Sequence, residues 1–175
     1  MVLVRFTLFG KSRGVAAVED LTIELGERVL NCRTAGIVIK DDHVLLHKNK
    51  KEPFWALIGG RIQLGEDSAQ AVEREFKEEL GIPAKAQRLL WIVENFFTYR
   101  DRPYHEYCFI YLVKDVEDRL LGTGGIVSPE GCDFSYEWIS LAGIKELPLR
   151  PDFLPEKLAD LPAVPVHLIH RERTE

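Results

Sequence analysis

Glu75, Glu78 and Glu79 stand three and four residues apart in the stretch Arg74–Leu80 (REFKEEL), with Glu66 shortly before them. On a helix of 3.6 residues per turn, positions i, i+3 and i+4 share one face, so the three carboxylates come together. Like charges at that spacing repel by about 0.2–0.5 kcal/mol per pair. The arrangement works against the helix unless a cation sits among the oxygens, and all-oxygen ligands select a hard divalent ion. Glutamate-rich helix faces are ordinarily plain solvated surface. The flanking residues decide which kind this one is.

Those flanks frame a helix entered from a glycine loop. Asp67 with Gln70 three residues on is a capping-box pattern that leaves Glu66 just outside the helix. Ala69, Val72, Phe76 and Leu80 recur at helical spacing as a buried stripe, and Gly81 followed by Pro83 ends it. Before the helix, the apolar run Phe54–Ile58 reads as a short strand ending at the pair Gly59-Gly60. Strands are also expected in a hairpin around Gly26-Glu27, at Thr34–Lys40 and His43–Lys48 about the turn Asp41-Asp42, at Arg88–Tyr99 and Tyr104–Val113, and at Tyr136–Ser140. A helix is expected over Pro151–Leu161 and a loop over Asp115–Pro129. The whole is a mixed α/β domain.

Composition narrows the partners. A net charge of −5 argues against binding a nucleic-acid polymer, and no apolar run is long enough to span a membrane. Cys32, Cys108 and Cys132 are odd in number and form no CxxC pair, which points to a reducing, cytoplasmic setting without disulfides. The basic N-terminus is broken by Arg5 and shows no cleavage site, so residues 1–20 are expected as an extension or extra edge strand rather than a targeting segment.

Gly60 to Ile82 fits the pattern G-x5-E-x7-R-E-U-x-E-E-x-G-U, U being a bulky apolar residue, at Gly60, Glu66, Arg74, Glu75, Phe76, Glu78, Glu79, Gly81 and Ile82. Seven fixed identities make a chance match on the order of one in 10^8 per start position. The chain therefore resembles the Nudix hydrolases. The resemblance implies an α/β/α sandwich with a mixed β-sheet and a loop–helix–loop metal site, spanning residues 21–165, with 166–175 as a C-terminal tail. It implies hydrolysis of a nucleoside diphosphate-linked small molecule with Mg²⁺ or Mn²⁺, and it is compatible with a homodimer. Carried over by position, Glu75 and Glu79 are metal ligands, Glu78 is a further ligand or the base that activates water, and the Gly59 carbonyl completes the coordination. Arg74 would orient Glu75, and Glu66 would brace the loop. Phe76 departs from the family's more usual aliphatic residue, and Ile58 from its frequent proline.

Substrate identity depends on residues outside this box. The basic loop His47–Lys51, with Lys48, and Arg61 are candidates for phosphate or sugar. Phe96, in the segment Glu94–Phe97 beside Tyr99, is a candidate for base stacking, although alternate strand residues must divide between core and surface. Glu106 and Glu130, ahead of Glu137 and His105, are candidates for an acid that completes the site. His167 and His170 form an HxxH pair too short to claim a metal, and a surface role is expected. A (deoxy)nucleoside triphosphate is the leading expectation for the substrate, with ADP-ribose, a nucleotide sugar or a dinucleoside polyphosphate next. A nucleotide-sensing module without catalysis is the reading from another class, and the intact box argues against it.

Overall fold

The computed structural model describes residues 19–115 and 133–172. The N-terminal segment 1–18, Glu130 and Cys132 lie outside the described residues, as does most of the loop expected after Asp115.

Among the described residues, ten strands and two α-helices follow in the order β1 (Thr22–Leu25), β2 (Arg28–Ile37), β3 (Ile39–Lys40), β4 (His43–Asn49), β5 (Trp55–Ala56), α1 (Ser68–Leu80), β6 (Ala84–Tyr99), β7 (Arg102–Asp115), β8 (Phe134–Ser140), β9 (Leu149–Arg150), α2 (Leu154–Lys157) and β10 (Val166–Arg171). They form two mixed sheets. One has the order β1-β2-β7-β6-β10, with β2–β7 and β6–β10 parallel; the other runs β3-β4-β5-β9, with β8 paired to β4. Two-residue turns close the hairpins at Asp41-Asp42 and Arg100-Asp101, all four residues at positive φ, as tight hairpin turns demand.

The main core lies between the sheets, where Ile37, Trp91 and Ile110 of the first meet Leu46, Trp55 and Leu149 of the second. Strand alternation sends Leu45 of β4 the other way, into a second core with Val72, Phe76 and Leu80 of α1. Phe76 is fully buried there. Room for its ring comes from Gly36 on β2, where an added Cβ would lie 2.4 Å from Phe76 Cε2. The helix follows its local signals. Asp67 Oδ1 accepts from the backbone of Ala69 and Gln70, Gln70 Oε1 accepts from Asp67 N–H, and Gly81 closes the end in the left-handed region.

Several elements differ from the sequence expectation. The second hairpin strand merges with the first part of Thr34–Lys40 into the single ten-residue β2, while Ile39–Lys40 form the separate β3. Strand β5 shrinks to two residues, because the chain beyond it turns to run along β2. Ala69 is only half-buried, whereas Ala71 and Glu79 are buried. The helix expected over Pro151–Leu161 is four residues long; the chain tightens after Lys157, where Asp160 N–H bonds three residues back, and Pro162 bars further helix. Residues 166–171, expected within a tail, form β10 in parallel register with β6. Among the described residues, no helix is long and apolar enough to cross a membrane.

Candidate active site

The loop before α1 is fastened along β2. Gly36 N–H bonds to Ile58 O at 2.9 Å, Thr34 N–H to Gly60 O at 2.9 Å and Ile62 N–H to Cys32 O at 3.0 Å. Gly59 sits at φ +150°, and a Cβ there would lie 2.2 Å from Thr34 O. Only glycine accepts both the backbone conformation and the contact. Gly59→Ala is therefore expected to lower the melting temperature by several degrees and to weaken activation by divalent ions, read by calorimetry and by metal titration of turnover.

Arg74 ties this loop to the helix. Its Nε and Nη2 grip Glu66 in a fork at 2.9 and 3.0 Å, Nη1 donates to Glu75 at 2.7 Å and Glu78 at 2.9 Å, and Nη2 also donates to Arg61 O at 2.9 Å. The planar guanidinium thus uses its donors on three carboxylates and a carbonyl. Burial pushes the Glu66 carboxyl up, but the hydrogen bonds from Arg74 and from Gln63 N–H prevail and hold it below the ordinary carboxylate range. For Glu75, burial prevails over Arg74, and the nearby Glu79 charge adds to the rise.

Of the three helix carboxylates only Glu78 is exposed; the exposed acidic face implied by the sequence is a half-hidden one. Glu79 is buried, with Oε1 accepting from Gly59 N–H at 3.2 Å and Oε2 facing Tyr136 OH at 3.0 Å and His47 Nδ1 at 2.9 Å. Phe134 stacks on the His47 ring at 5.3 Å. Glu75 lies against the neighbouring glycine: a Cβ on Gly60 would fall 2.3 Å from its Oε1. Two carboxylates therefore converge on one glycine pair, with the Gly59 carbonyl beside them. That carbonyl accepts from Arg33 Nη2 at 2.5 Å and has a second lone pair to offer.

An all-oxygen set of this kind fits Mg²⁺ or Mn²⁺. Among the described residues, no three His, Cys, Asp or Glu side chains form a ready-made metal cage. Glu79 and Gly59 line a cavity of about 580 Å³, whose walls also include Arg33, Glu106, Asn95 and Tyr99.

The model of the NUDIX domain family matches residues 30–159, well over half of the chain. The chain belongs to the NUDIX domain family. An ADP-ribose pyrophosphatase of Methanocaldococcus jannaschii is 37% identical over 93 residues, covering 50% of this chain and 55% of that protein. A putative ADP-ribose pyrophosphatase of Bacillus subtilis, YjhB, is 33% identical over 73 residues, 41% of this chain and 35% of its own length. The Nudix chain thus spans about half of the first relative and about a third of the second. Among solved structures, the mutator MutT protein of Bacillus halodurans superposes with a TM-score of 0.56 at 22% identity, over 78% of this chain and 89% of that one, a likeness of fold.

Within the Nudix fold, the structure brings together Gly59, Arg74, Glu75, Glu78 and Glu79, and puts Arg61 and Glu106 on the same cavity. Two expected substrate residues are not on its walls. Lys48 follows His47 on β4 and so faces the opposite side, with Nζ 5.8 Å from the Trp55 ring centroid. Phe96 points to the outer face of its sheet, stacked on His105 at 4.3 Å and capped by Arg171, while its neighbour Phe97 lines the cavity. Glu130 is outside the described residues, and Glu137 is exposed on β8. Sequence reasoning passed over Asn31, Arg33, Asn95 and Tyr136 and assigned His170 to the surface. The signal that finds most of them is parity: polar residues at inward positions of strands whose other inward positions are apolar.

Proposed function

We propose that this Nudix protein hydrolyses a phosphoric anhydride bond in a nucleoside diphosphate-linked small molecule, with Mg²⁺ or Mn²⁺ held by Glu75, Glu79 and the Gly59 carbonyl. The observation that carries the reading is the convergence of two carboxylates on the glycine pair, with Glu79 and Gly59 on the wall of a ligand-sized cavity. The ion supplies neutralisation of the diphosphate charge and a lowered pKa for its water. Glu78, exposed and oriented by Arg74, takes the proton of the attacking water. Arg33, fixed on Gly59 O beside the acidic cluster, adds positive charge where the phosphates lie. Neutralisation and alignment are most of what phosphoryl transfer asks of a protein.

Two substrate classes fit. A (deoxy)nucleoside triphosphate releases pyrophosphate and a monophosphate; ADP-ribose or a nucleotide sugar releases two monophosphates. The names of the two curated relatives favour the second class. A panel of both classes with Mg²⁺ or Mn²⁺, scored for phosphate and pyrophosphate, decides between them. Glu78→Gln is expected to lower kcat by roughly 10²–10⁴-fold while nucleotide binding persists. Unchanged turnover in that variant would remove the catalysis from this helix.

A further inference from the structure

Strand register sets one polar residue from each of five strands in a single row across the first sheet. Thr22 on β1 lies opposite Asn31 on β2, Asn31 opposite Glu106 on β7, Glu106 opposite Asn95 on β6, and Asn95 opposite His170 on β10. Two positions further along, most of the same face is apolar, with Cys108, Val93 and Leu168 in the next row beside Arg33. The polar row marks the place where the core gives way to the cavity.

Every hydrogen bond in the row is directed at Glu106. From one side, Thr22 Oγ1 donates to Asn31 Oδ1 at 3.1 Å, and Asn31 Nδ2 donates to Glu106 Oε2 at 2.8 Å. From the other, His170 Nδ1 meets Asn95 Oδ1 at 2.7 Å, Asn95 Nδ2 donates to Glu106 Oε1 at 3.4 Å, and His170 Nε2 faces Asp152 at 2.7 Å. Thr22 claims the Asn31 oxygen from behind, so the Asn31 NH₂ faces the carboxylate, and Asn95 presents its own NH₂ to the other carboxylate oxygen. Both Glu106 oxygens accept, one amide each among the described residues, and a carboxylate oxygen has a second acceptor site to offer. Glu106 is 6% exposed and lines the cavity. Among the described residues, no lysine or arginine makes an ion pair with it. A buried carboxylate so firmly oriented, with two acceptor sites turned to a cavity, is built to receive donors.

We propose that Glu106 is the specificity-determining residue of the cavity, recognising a pair of adjacent hydrogen-bond donors on the substrate, remote from the cleaved bond. Two groups offer that chemistry: the vicinal 2′,3′-diol of a ribose and the N1–H/N2–H edge of guanine. Phe97 and Tyr104, stacked at 5.0 Å and 12° on the cavity wall, supply the flat face beside it. The assignment rests on the cavity being the substrate site of the diphosphate hydrolase proposed above. Asn31 and Asn95 act through Glu106, as positioning residues. Glutamine at position 106 keeps the shape but turns one acceptor into a donor, so it can no longer accept a pair of adjacent donors.

The test pairs substrate and protein changes. The best substrate of the panel is compared with analogues lacking the 2′ and 3′ hydroxyls of each ribose and, for a guanine nucleotide, with its inosine counterpart. One of these analogues is expected to lose about 10-fold or more in kcat/KM with the wild-type protein, mainly through KM. Glu106→Gln is expected to lose as much on the parent substrate and nothing further on that analogue. A diol analogue that fails identifies the ribose; an inosine analogue that fails identifies guanine. Analogues that all perform like the parent overturn the proposal, as does a Glu106→Gln loss equal on parent and analogue. Should that variant not fold, the wild-type comparison stands alone. Should the wild type turn over nothing in the panel, the hydrolase reading fails. The same pairs, GDP against dideoxy-GDP, GDP against IDP, and ADP-ribose against its deoxy forms, then test Glu106 by calorimetric Kd: a 10-fold difference supports it and equal values reject it.

Discussion

Replacing Glu79 by glutamine is expected to abolish the effect of divalent ions on both turnover and thermal stability. Glu79 is a buried carboxylate that meets only donors: Gly59 N–H on one oxygen, Tyr136 OH and His47 Nδ1 about the other. Glutamine keeps the shape but presents an NH₂ to one of those donors, leaving a buried group unsatisfied at a cost of roughly 1–3 kcal/mol. It also removes the charge that, with Glu75, makes the glycine pair attractive to a cation. Loss of a ligand should exceed the roughly 10–100-fold that loss of a ligand's supporting partner costs in metal affinity. Wild-type protein at a hundredfold excess of ion over Kd gains about 2.7 kcal/mol of stability. A melting curve of Glu79→Gln that moves with Mn²⁺ as the wild type does would show that the ion binds elsewhere.

The second large effect is expected at Arg74. Arg74→Ala leaves Glu66 and Glu75, both largely buried, without their cation and frees the Arg61 carbonyl. Breaking a buried pair from one side costs roughly 3–5 kcal/mol, and partial exposure here argues for the lower end. Activity should fall with stability, because the same guanidinium orients Glu78 and Glu75. Arg74→Lys restores charge but not the fork on Glu66, so it should recover only part of either loss. The pH dependence gives a sharper signature. The Glu66 carboxyl is held below its ordinary range in the fold, so its contribution to stability is present above the unfolded pKa and disappears as pH falls through the folded one. Urea denaturation midpoints of wild type and Arg74→Ala should therefore lie well apart at pH 7 and draw together on acidification below about pH 4. A gap that stays constant with pH would place the loss in packing instead.

How much of this was legible in the sequence follows from the range of the interactions. Helix α1 could be read to within one residue at its start, between Asp67 and Ser68, and to the residue at its end, because Asp67, Gln70 and Gly81 act within one turn. The hairpin turn at Asp41-Asp42 is equally local; the turn after β6, expected over Arg100–Pro103, is tighter, with Arg102 and Pro103 already in β7. The acidic cluster proposed to hold the ion was legible because the helix places i, i+3 and i+4 together without help from the rest of the chain. Strand faces are less forgiving: a shift of one residue exchanges core for surface, and so Phe96 was expected where Phe97 stands and Lys48 where His47 stands. The row centred on Glu106 needs the register of five strands, one of them formed by residues 166–171 that read as a tail. No pattern within a single segment contains that information.

Strand β2 touches both ends of the cavity. Asn31 holds Glu106, and Arg33, the next residue on the same face, holds the Gly59 carbonyl. Their Cα atoms are separated by two residues of extended chain, about 6.5–7 Å, a length that strand geometry scarcely allows to vary. The strand is thus a ruler. On the proposed assignments it would fix how far the anhydride lies from the group that Glu106 reads, sorting substrates by span as well as by hydrogen bonding. A change of selectivity by size would have to come from re-registering β2 against β7, whereas a change of chemical taste needs only a new side chain at position 106.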